Sequence, residues 1–414
     1  MPQTARLPDG SEMVLQGATY GAGTEHRYLV GRPWQKLLFR LLPARYKRRS
    51  GSRPVFYVSN DAEKRLILWT LRGRVPATLR WEARAVTVDD DGNEFEPEPT
   101  RFALQPEPLE LAEAWSFQTF PRRGRSFKLR IYCRASRGPW LKSAEFRVEN
   151  PVRRAYPIWE PEALPLSRRA GGIELTITNV LTGVTEQGTQ IRVAEAGEGL
   201  STFIAGRLKG AGESTVGWEV RAVALSDATG NRWKPQNQIF DRQGDEVALK
   251  INGGLSPSER AWKFEVELAR TAAANFTPAE LWRVGGVAAP AAGQFVLTPE
   301  TTVRDGVKYQ FVGLSRELAI IPDALQIAPT PYYVIRATPK LPLGMEITLV
   351  EARGSHGESV RVESSSTAES ADATEVCARL KPLPADGRID FTFAIQRTRS
   401  VEFLAKPKRA GVKP

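Results

Sequence analysis

The chain has 414 residues, of which 41% are hydrophobic and 25% charged, a composition typical of a globular protein with room for about two to four domains. With only two cysteines, Cys133 and Cys377, and two histidines, the sequence argues against a disulfide-stapled scaffold and a histidine-rich metal centre. No run of about 18 apolar residues occurs and the first residues contain no apolar leader core, so we predict a cytoplasmic protein.

The net charge of +11 is unevenly distributed along the chain. Residues 31–54 and residues 121–142 each carry eight Lys or Arg and no acidic residue. These sixteen cations exceed the net charge, so the rest of the chain is net acidic. The positive charge therefore belongs to the first third of the molecule, where it favours an anionic partner.

The first distinctive element is PWQKLLFRLLP, which predicts a short amphipathic helix at about residues 33–43. We expect the apolar face of this helix either to dock on a membrane surface or partner or to cap the first domain. Its apolar residues are Trp34, Leu37, Leu38 and Leu41. The cations of the helix and of the run behind it are predicted to bind the anionic partner, and they are Lys36, Arg40, Arg45, Lys47, Arg48 and Arg49.

A long repeat follows. WEARAVTVDDDGN begins at Trp81, WEVRAVALSDATGN begins at Trp218, and a weaker copy, MEITLVEARGSHGE, begins at Met345. Each copy precedes a strand of alternating apolar residues, FKLRIYC, WKFEVEL and FTFAI. Met345 and Phe391 both lie 264 residues after their first-copy counterparts, Trp81 and Phe127, so two separate anchors support a third copy.

The copies also predict the domain limits. Each unit ends with a similar segment, AEFRVENP, AELWRVGGVAAP or VEFLAKP, and proline-rich connectors lie between units. We predict a basic β-sandwich with the inserted helix at residues 1–150, a β-sandwich at 151–290, and a degenerate β-sandwich at 291–414. The last unit is predicted to end in a flexible basic tail from Lys406.

The hairpin pattern Val-x-Val-Asp-x-x-Gly-Asn of residues 86–93, followed by another strand, resembles the hairpins of bacterial tandem immunoglobulin-like β-sandwich proteins. Together with the three repeats, the resemblance implies an all-β protein of three tandem immunoglobulin-like β-sandwich domains. The one short amphipathic helix expected in the first domain is predicted separately, from PWQKLLFRLLP. The resemblance implies a fold and no activity, because such sandwiches carry many unrelated functions.

The second basic segment covers one strand and the turn before it. The equivalent strand of the second unit presents Lys263, Glu265 and Glu267, so the fold does not require a positive stripe there. Anion binding and a merely solvated sheet face are both compatible with this pattern. The candidate anion-binding residues here are Arg122, Arg123 and Arg125 in the turn and Lys128, Arg130 and Arg134, which form a positive stripe on the outward face of the strand.

Catalytic and metal-binding motifs are weak. The DDDGN segment from Asp89 resembles a calcium loop, but the copies share only Gly or Gly-Asn, which indicates a structural turn. Neither His26 nor His356 lies in a GxSxG or HExxH frame, and the chain contains no P-loop. We therefore predict no enzyme activity, no catalytic residue, no metal and no cofactor.

The predicted function is that of a non-catalytic modular binding or scaffold protein whose first domain carries a basic surface. Its predicted partner is a protein or an anionic membrane surface, without a small-molecule substrate and with peripheral membrane association as an option. The alternative is a nucleic-acid-associated protein that uses the same surface. A cryptic enzyme with a site between units is less favoured.

Overall fold

The computed structural model describes residues 3–8, 10–21, 25–28, 55–58, 65–72, 81–95, 100–107, 110–135, 138–187, 190–194, 200–234, 238–256, 258–291, 294–315, 332–370, 372–381 and 387–410. Within these ranges the chain forms 30 β-strands and one three-residue 3-10 turn, Ala273–Asn275, which confirms the all-β class. The helix predicted at about 33–43 lies outside the described residues. None of the helical structure in the described part is long and apolar enough to cross a membrane.

The described residues of the first sandwich form eleven strands. They are β1 (Gln3–Arg6), β2 (Glu12–Gly21), β3 (Glu25–Tyr28), β4 (Val55–Val58), β5 (Arg65–Arg72), β6 (Trp81–Val88), β7 (Glu94–Phe95), β8 (Thr100–Glu107), β9 (Glu110–Phe117), β10 (Ser126–Ala135) and β11 (Leu141–Glu149). Two sheets, ordered β1-β2-β5-β9-β8 and β11-β10-β6-β7, enclose the core, and β3 pairs with β4. Alternate side chains of β10 point into that core because strand side chains repeat every two residues, and there Phe127 and Leu129 meet Trp115 and Phe146.

The next nine strands belong to the second sandwich. They are β12 (Leu166–Ala170), β13 (Ile173–Gln187), β14 (Gln190–Val193), β15 (Ser201–Gly210), β16 (Trp218–Asp227), β17 (Arg232–Trp233), β18 (Gln238–Gln243), β19 (Glu246–Asn252) and β20 (Trp262–Arg270). One sheet is ordered β12-β13-β15-β19-β18, with β14 also paired to β13. Its core contains Trp218, Trp233, Trp262 and Phe264.

The remaining ten strands follow. They are β21 (Leu281–Ala288), β22 (Phe295–Arg304), β23 (Val307–Ser315), β24 (Tyr332–Thr338), β25 (Met345–Gly354), β26 (Arg361–Glu369), β27 (Thr374–Lys381), β28 (Arg388–Arg397), β29 (Arg399–Ala405) and β30 (Lys408–Arg409). The third sandwich is built from the sheets β21-β28-β25 and β22-β23-β24-β27-β26. Its core is rich in aromatic rings, among them Trp282, Phe311, Tyr333 and Phe391.

Relative to the linear order of the repeats, the second and third units exchange one strand each. In the first sandwich β10 pairs with β11, the strand that follows it in sequence. In the second sandwich the position beside β20 is filled by β29, which gives the sheet order β17-β16-β20-β29. The strand that follows β20 in sequence, β21, pairs with β28 of the third sandwich. The closing segment of the second unit thus completes a sheet of the third sandwich, and the closing segment of the third unit completes a sheet of the second.

Chain connectivity explains this exchange. Residues 136–140 link β10 to β11, whereas Thr398 alone separates β28 from β29. A β-hairpin loop needs at least about two residues, so β29 has no means of folding back beside β28. It continues across to β20 instead, where Phe403 takes the place that Phe146 has in the first sandwich.

The sheets therefore divide the chain differently from the linear order of the repeats. The predicted boundary at residue 290 follows β21, while the pairing groups residues 281–397 as the third sandwich and returns β29 to the second. The basic tail predicted from Lys406 contains β30, which pairs in parallel with Leu181 and Thr182 of β13. Residues 411–414 lie outside the described residues.

Strand register tests the proposed equivalence of the repeats. Trp81 and Trp218 both pair with the last residue of the adjacent central strand, so they occupy the same backbone position, as predicted. Trp218 is buried, and the side chain of Trp81 lies outside the described part. The match of Phe391 to Phe127 is wrong by two residues, because Phe391 takes the position of Phe264. A two-residue slip keeps the same face buried, so the alternating pattern alone does not reveal it.

Candidate functional site

The predicted basic turn lies at the junction between the first and second sandwiches. The guanidinium of Arg122 stacks over the rings of Tyr20 and Phe120, with its Cζ 5.2 and 4.8 Å from the ring centroids. Arg122 is 5% exposed, and its Nη1 donates to the backbone oxygen of Thr229 in the second sandwich at 3.4 Å. The charge of Arg122 is therefore used inside the protein, in cation–π packing.

Arg123 connects the turn to the second sandwich and to the connector before it. Its Nε and Nη2 donate to the two carboxylate oxygens of Glu259 at 2.8 and 2.9 Å, and Nη2 also donates to the oxygen of Pro157 at 2.8 Å. Burial raises the pKa of Glu259, and Arg123 opposes that rise while Asp227 adds to it. Such two-pronged geometry fixes orientation as well as contact. The third arginine of the turn, Arg125, is exposed.

The predicted positive stripe on β10 is matched by carboxylates from neighbouring strands. Lys128 pairs with Glu145 of β11 at 3.1 Å, and Arg130 pairs with Glu145 at 2.8 Å and also with Glu94 of β7. Burial raises the pKa of Glu145, but hydrogen bonds from Lys142, Arg130 and Lys128 outweigh it and lower the pKa to about 2. The first two cations of the stripe, Lys128 and Arg130, thus belong to a network of ion pairs.

The last cation of the stripe is paired too. Arg134 donates to Glu82 of β6 at 2.7 Å and lies over the ring of Trp140, 4.4 Å from its centroid. Anion binding by the stripe therefore stays a prediction that would require displacing glutamates. The remaining predicted site residues lie outside the described residues, and they are Lys36, Arg40, Arg45, Lys47, Arg48, Arg49, Trp34, Leu37, Leu38 and Leu41.

The DDDGN segment forms a turn that recurs in all three sandwiches. The Asp89 carboxylate accepts hydrogen bonds from the backbone and side-chain nitrogens of Asn93 at 2.8 and 3.1 Å, and Asp227 likewise accepts bonds from Asn231. The glycine before the last residue has φ near +80° in each copy, at Gly92, Gly230 and Gly357, which is why glycine recurs there. The described residues contain no group of three or more His, Cys, Asp or Glu arranged to hold a metal ion.

The asparagines of these turns contribute to the first junction. Asn231 donates from Nδ2 to the oxygen of Phe120 at 3.1 Å, and its Oδ1 accepts from the nitrogen of Phe120 at 3.3 Å. In the first sandwich, Asn93 Oδ1 accepts from Arg409 of the tail at 2.8 Å. A cavity of 210 Å³ between these turns is lined by paired polar groups such as Glu259 and Asp89. The repeated Gly-Asn was the sequence signal for this junction.

The second junction lies between the second and third sandwiches, where the chain passes from β20 to β21 and later from β28 to β29. Gln396 of β28 donates to the backbone oxygen of Arg270 at 2.8 Å and accepts from its nitrogen at 3.1 Å. Thr398 donates from its backbone nitrogen to the oxygen of Gly344 at 2.7 Å. Thr271 makes the equivalent bond, to Gly217, just after β20. The same two residue types, Arg270–Thr271 and Arg397–Thr398, therefore stand where the chain leaves β20 and where it leaves β28.

A third site, the connector pocket, lies where the connector between the first two sandwiches crosses β20 and β29. It is an open cavity of 460 Å³. Glu162 of the connector pairs with Arg168 of β12 at 2.5 Å, and Lys263 of β20 pairs with Glu402 of β29 at 3.1 Å. Trp159 also lines the cavity, and the Lys263 nitrogen is 5.9 Å from the centroid of its ring.

The remaining candidates do not converge with these sites. Cys133 and Cys377 are buried in different sandwiches and form no disulfide. His26 lies in β3 opposite Tyr57. His356 is exposed, and its backbone nitrogen donates to Glu358 in the third turn at 3.0 Å.

No protein-family model matches the chain, and no curated protein matches it either. Functional proposals for this chain therefore depend on its geometry and chemistry.

Proposed function

We propose that the protein is a non-catalytic modular scaffold that holds three sandwiches in fixed relation and binds an anionic partner or membrane surface through its first domain. The reciprocal exchange of β21 and β29 supports the scaffold role most directly. Because the third sandwich is inserted between β20 and β29 of the second, the chain crosses their junction twice, and Thr398 is the only residue between β28 and β29 at one crossing. Ordinary tandem domains are joined by a single connector, on which they move.

Both junctions support the same reading. Their polar groups point at one another: Arg123 at Glu259, Asn231 at Phe120, and Gln396 at Arg270. Buried polar groups that are satisfied in this way fix a unique arrangement of the elements that carry them. A catalytic site would instead direct such groups towards a substrate.

A distance measurement between sandwiches tests the scaffold role. Spin labels at Glu149→Cys, Lys209→Cys and Arg361→Cys mark the three sandwiches at exposed positions. We expect distance distributions between sandwiches as narrow as that of a control pair within the second sandwich. Broad distributions between Lys209 and Arg361 would contradict the proposal.

The binding part is tested with vesicles that contain phosphatidylserine. We expect the full chain to bind them at low salt, because each cation near an acidic lipid surface contributes about 1 kcal/mol. Charge reversal to Glu at the run of Arg45, Lys47, Arg48 and Arg49 should abolish binding. Reversal of Lys209 to Glu is the control, because this exposed lysine lies in the second sandwich, outside the predicted basic surface.

Two outcomes would redirect this part of the proposal. Binding to duplex DNA that falls steeply with salt, without vesicle binding, would favour the nucleic-acid alternative. Indifference to both vesicles and DNA at low salt would remove the anionic-surface role altogether.

A further inference from the structure

We infer that the connector pocket binds a neutral saccharide, with one pyranose ring lying against Trp159. The pocket combines an aromatic side chain, a cavity of 460 Å³ and four charged side chains around its rim. Apolar surface with a few convergent polar groups is the usual form of a small-molecule site. This inference goes beyond the scaffold role and does not depend on the basic segment.

The aromatic side of the pocket is held in place by the backbone. The nitrogen of Glu162 donates to the oxygen of Leu404 at 2.8 Å, which fixes the connector against β29. Arg168 adds a second tie, because its Nε donates to the oxygen of Glu402 at 3.1 Å. Trp159 is half-buried in this arrangement, so part of its ring stays accessible to a ligand. A pre-positioned ring costs little entropy on binding.

The rim supplies both donors and acceptors. The side chains of Glu162 and Arg168 are 41% and 37% exposed, and those of Glu402 and Lys263 are 58% and 38% exposed. An ionised carboxylate has about four acceptor sites and a guanidinium five donors, so each pair keeps unused hydrogen-bonding capacity. The rim therefore has hydrogen bonds to offer without breaking its ion pairs.

This combination selects among ligand classes. A charged ligand would have to compete with one partner of an exposed ion pair for the other, so it would gain little from the rim. A purely apolar ligand would remove four charged groups from water without forming hydrogen bonds to them. A sugar ring has an apolar face for the indole, and its hydroxyls both donate and accept, so they satisfy the rim without separating Arg168 from Glu162.

The first sandwich provides an internal comparison. Lys128 and Glu145 occupy the positions of Lys263 and Glu402, and both pairs measure 3.1 Å. Glu145, however, also receives Arg130 and Lys142, so its acceptor sites are used within the sheet. The pocket therefore belongs to the second sandwich, and it exists only because β29 is supplied from the far end of the chain.

Binding of the full chain to a printed array of neutral and acidic glycans tests the inference. The best neutral ligand is then titrated into the full chain by calorimetry. We expect Trp159→Ala to weaken binding about tenfold, the upper range for one aromatic contact. Glu402→Gln keeps the shape of the rim and should weaken binding about threefold or more. Trp140→Ala, in the first sandwich, removes a half-buried tryptophan away from the pocket and should leave binding unchanged.

The outcomes separate clearly. Neutral-glycan binding that falls with Trp159→Ala and Glu402→Gln, but not with Trp140→Ala, supports the inference. Absence of any neutral ligand on the array overturns it, as does binding confined to acidic glycans. Binding that Trp159→Ala leaves unchanged also overturns it. If Trp159→Ala lowers the melting temperature, the Glu402→Gln result decides.

Discussion

The first and second sandwiches contain the same central strands and yet are closed differently. In the first sandwich β11 completes the sheet beside β10 as a local hairpin. In the second sandwich the same place is filled by β29, which makes Lys263 and Glu402 neighbours although they lie 139 residues apart in sequence. Local geometry is therefore preserved while connectivity changes. The integrity of the second sandwich depends on the third, because the third lies between the two strands that must meet.

This difference determines how the molecule should unfold. A sandwich closed by its own hairpin contains all of its core, so it is able to unfold by itself. The third sandwich is contiguous from β21 to β28, and it is inserted between β20 and β29 of the second sandwich. Unfolding of the third would leave a long flexible loop between β20 and β29, and the entropy of closing that loop would destabilise the second. The second and third sandwiches should therefore form one cooperative unit, with the first sandwich as a separate unit that is coupled through its junction.

The largest expected effect comes from a matched pair of core substitutions. Phe146→Ala and Phe403→Ala remove equivalent rings, each 1% exposed, from the closing strands of the first and second sandwiches. Each should cost about 3–5 kcal/mol of unfolding free energy, because a large buried side chain leaves a cavity. In calorimetry, Phe146→Ala should lower only the transition of the first sandwich. Phe403→Ala should lower one transition shared by the second and third.

A different pattern would break the comparison. If Phe403→Ala lowered a transition of the second sandwich while the third melted unchanged, the exchange would carry no cooperativity. A fragment of residues 281–397 provides the control, because it contains the complete pair of sheets of the third sandwich without β29.

Local sequence patterns predicted the strands and turns well, since alternation and glycine act over a few residues. They did not predict the exchange, because the closing segments ELWRV and VEFLA carry the same alternation and suit either sandwich. A signal was nevertheless present: residues 390–405 contain no Gly, Pro or Asn with which to turn, and so exclude a hairpin between β28 and β29.

The candidate sites were less predictable for a related reason. The outward face of β10 was predicted correctly from its alternation, but the glutamates opposite it come from other strands. Charge counting along one segment does not reveal such partners, so the stripe looked more cationic than its surroundings make it. The connector pocket gave no local signal, because its side chains come from four separated segments.

The second prediction concerns coupling of the first sandwich to the others. Asn231→Ala would leave both backbone groups of the buried Phe120 without their partner. We expect a loss of about 1–3 kcal/mol, the usual cost of an unsatisfied buried polar group. The transition of the first sandwich should move away from that of the other two in calorimetry. Asn93→Ala, which removes the matching residue from the exposed side of the junction, should have the smaller effect; equal effects would contradict this role for Asn231.

The third prediction uses pH to distinguish the two closures. Three cations lower the pKa of Glu145 to about 2 in the folded first sandwich, below its ordinary value. Its contribution to stability is present above the ordinary pKa and is lost as the pH falls through the folded value. Between about pH 4.5 and 2 the wild-type first sandwich should therefore lose about 2 kcal/mol of unfolding free energy. Glu145→Gln lacks this contribution at every pH and should not show the loss. Parallel pH profiles for the wild type and Glu145→Gln would contradict the assignment.

The smallest expected effect concerns Glu346 at the second junction, whose pKa is shifted in the opposite direction to that of Glu145. Burial raises the pKa of Glu346, and the attraction of Arg221 only partly opposes this while Glu267 adds repulsion. A carboxyl with a raised folded pKa contributes stability below its ordinary pKa, and that contribution is lost as the pH rises through the folded value. Glu346→Gln imitates the protonated form, so it should stabilise the shared transition at pH 7 and make no difference at pH 4. Destabilisation by Glu346→Gln at pH 7 would show that the ion pair with Arg221 outweighs the cost of burying the charge.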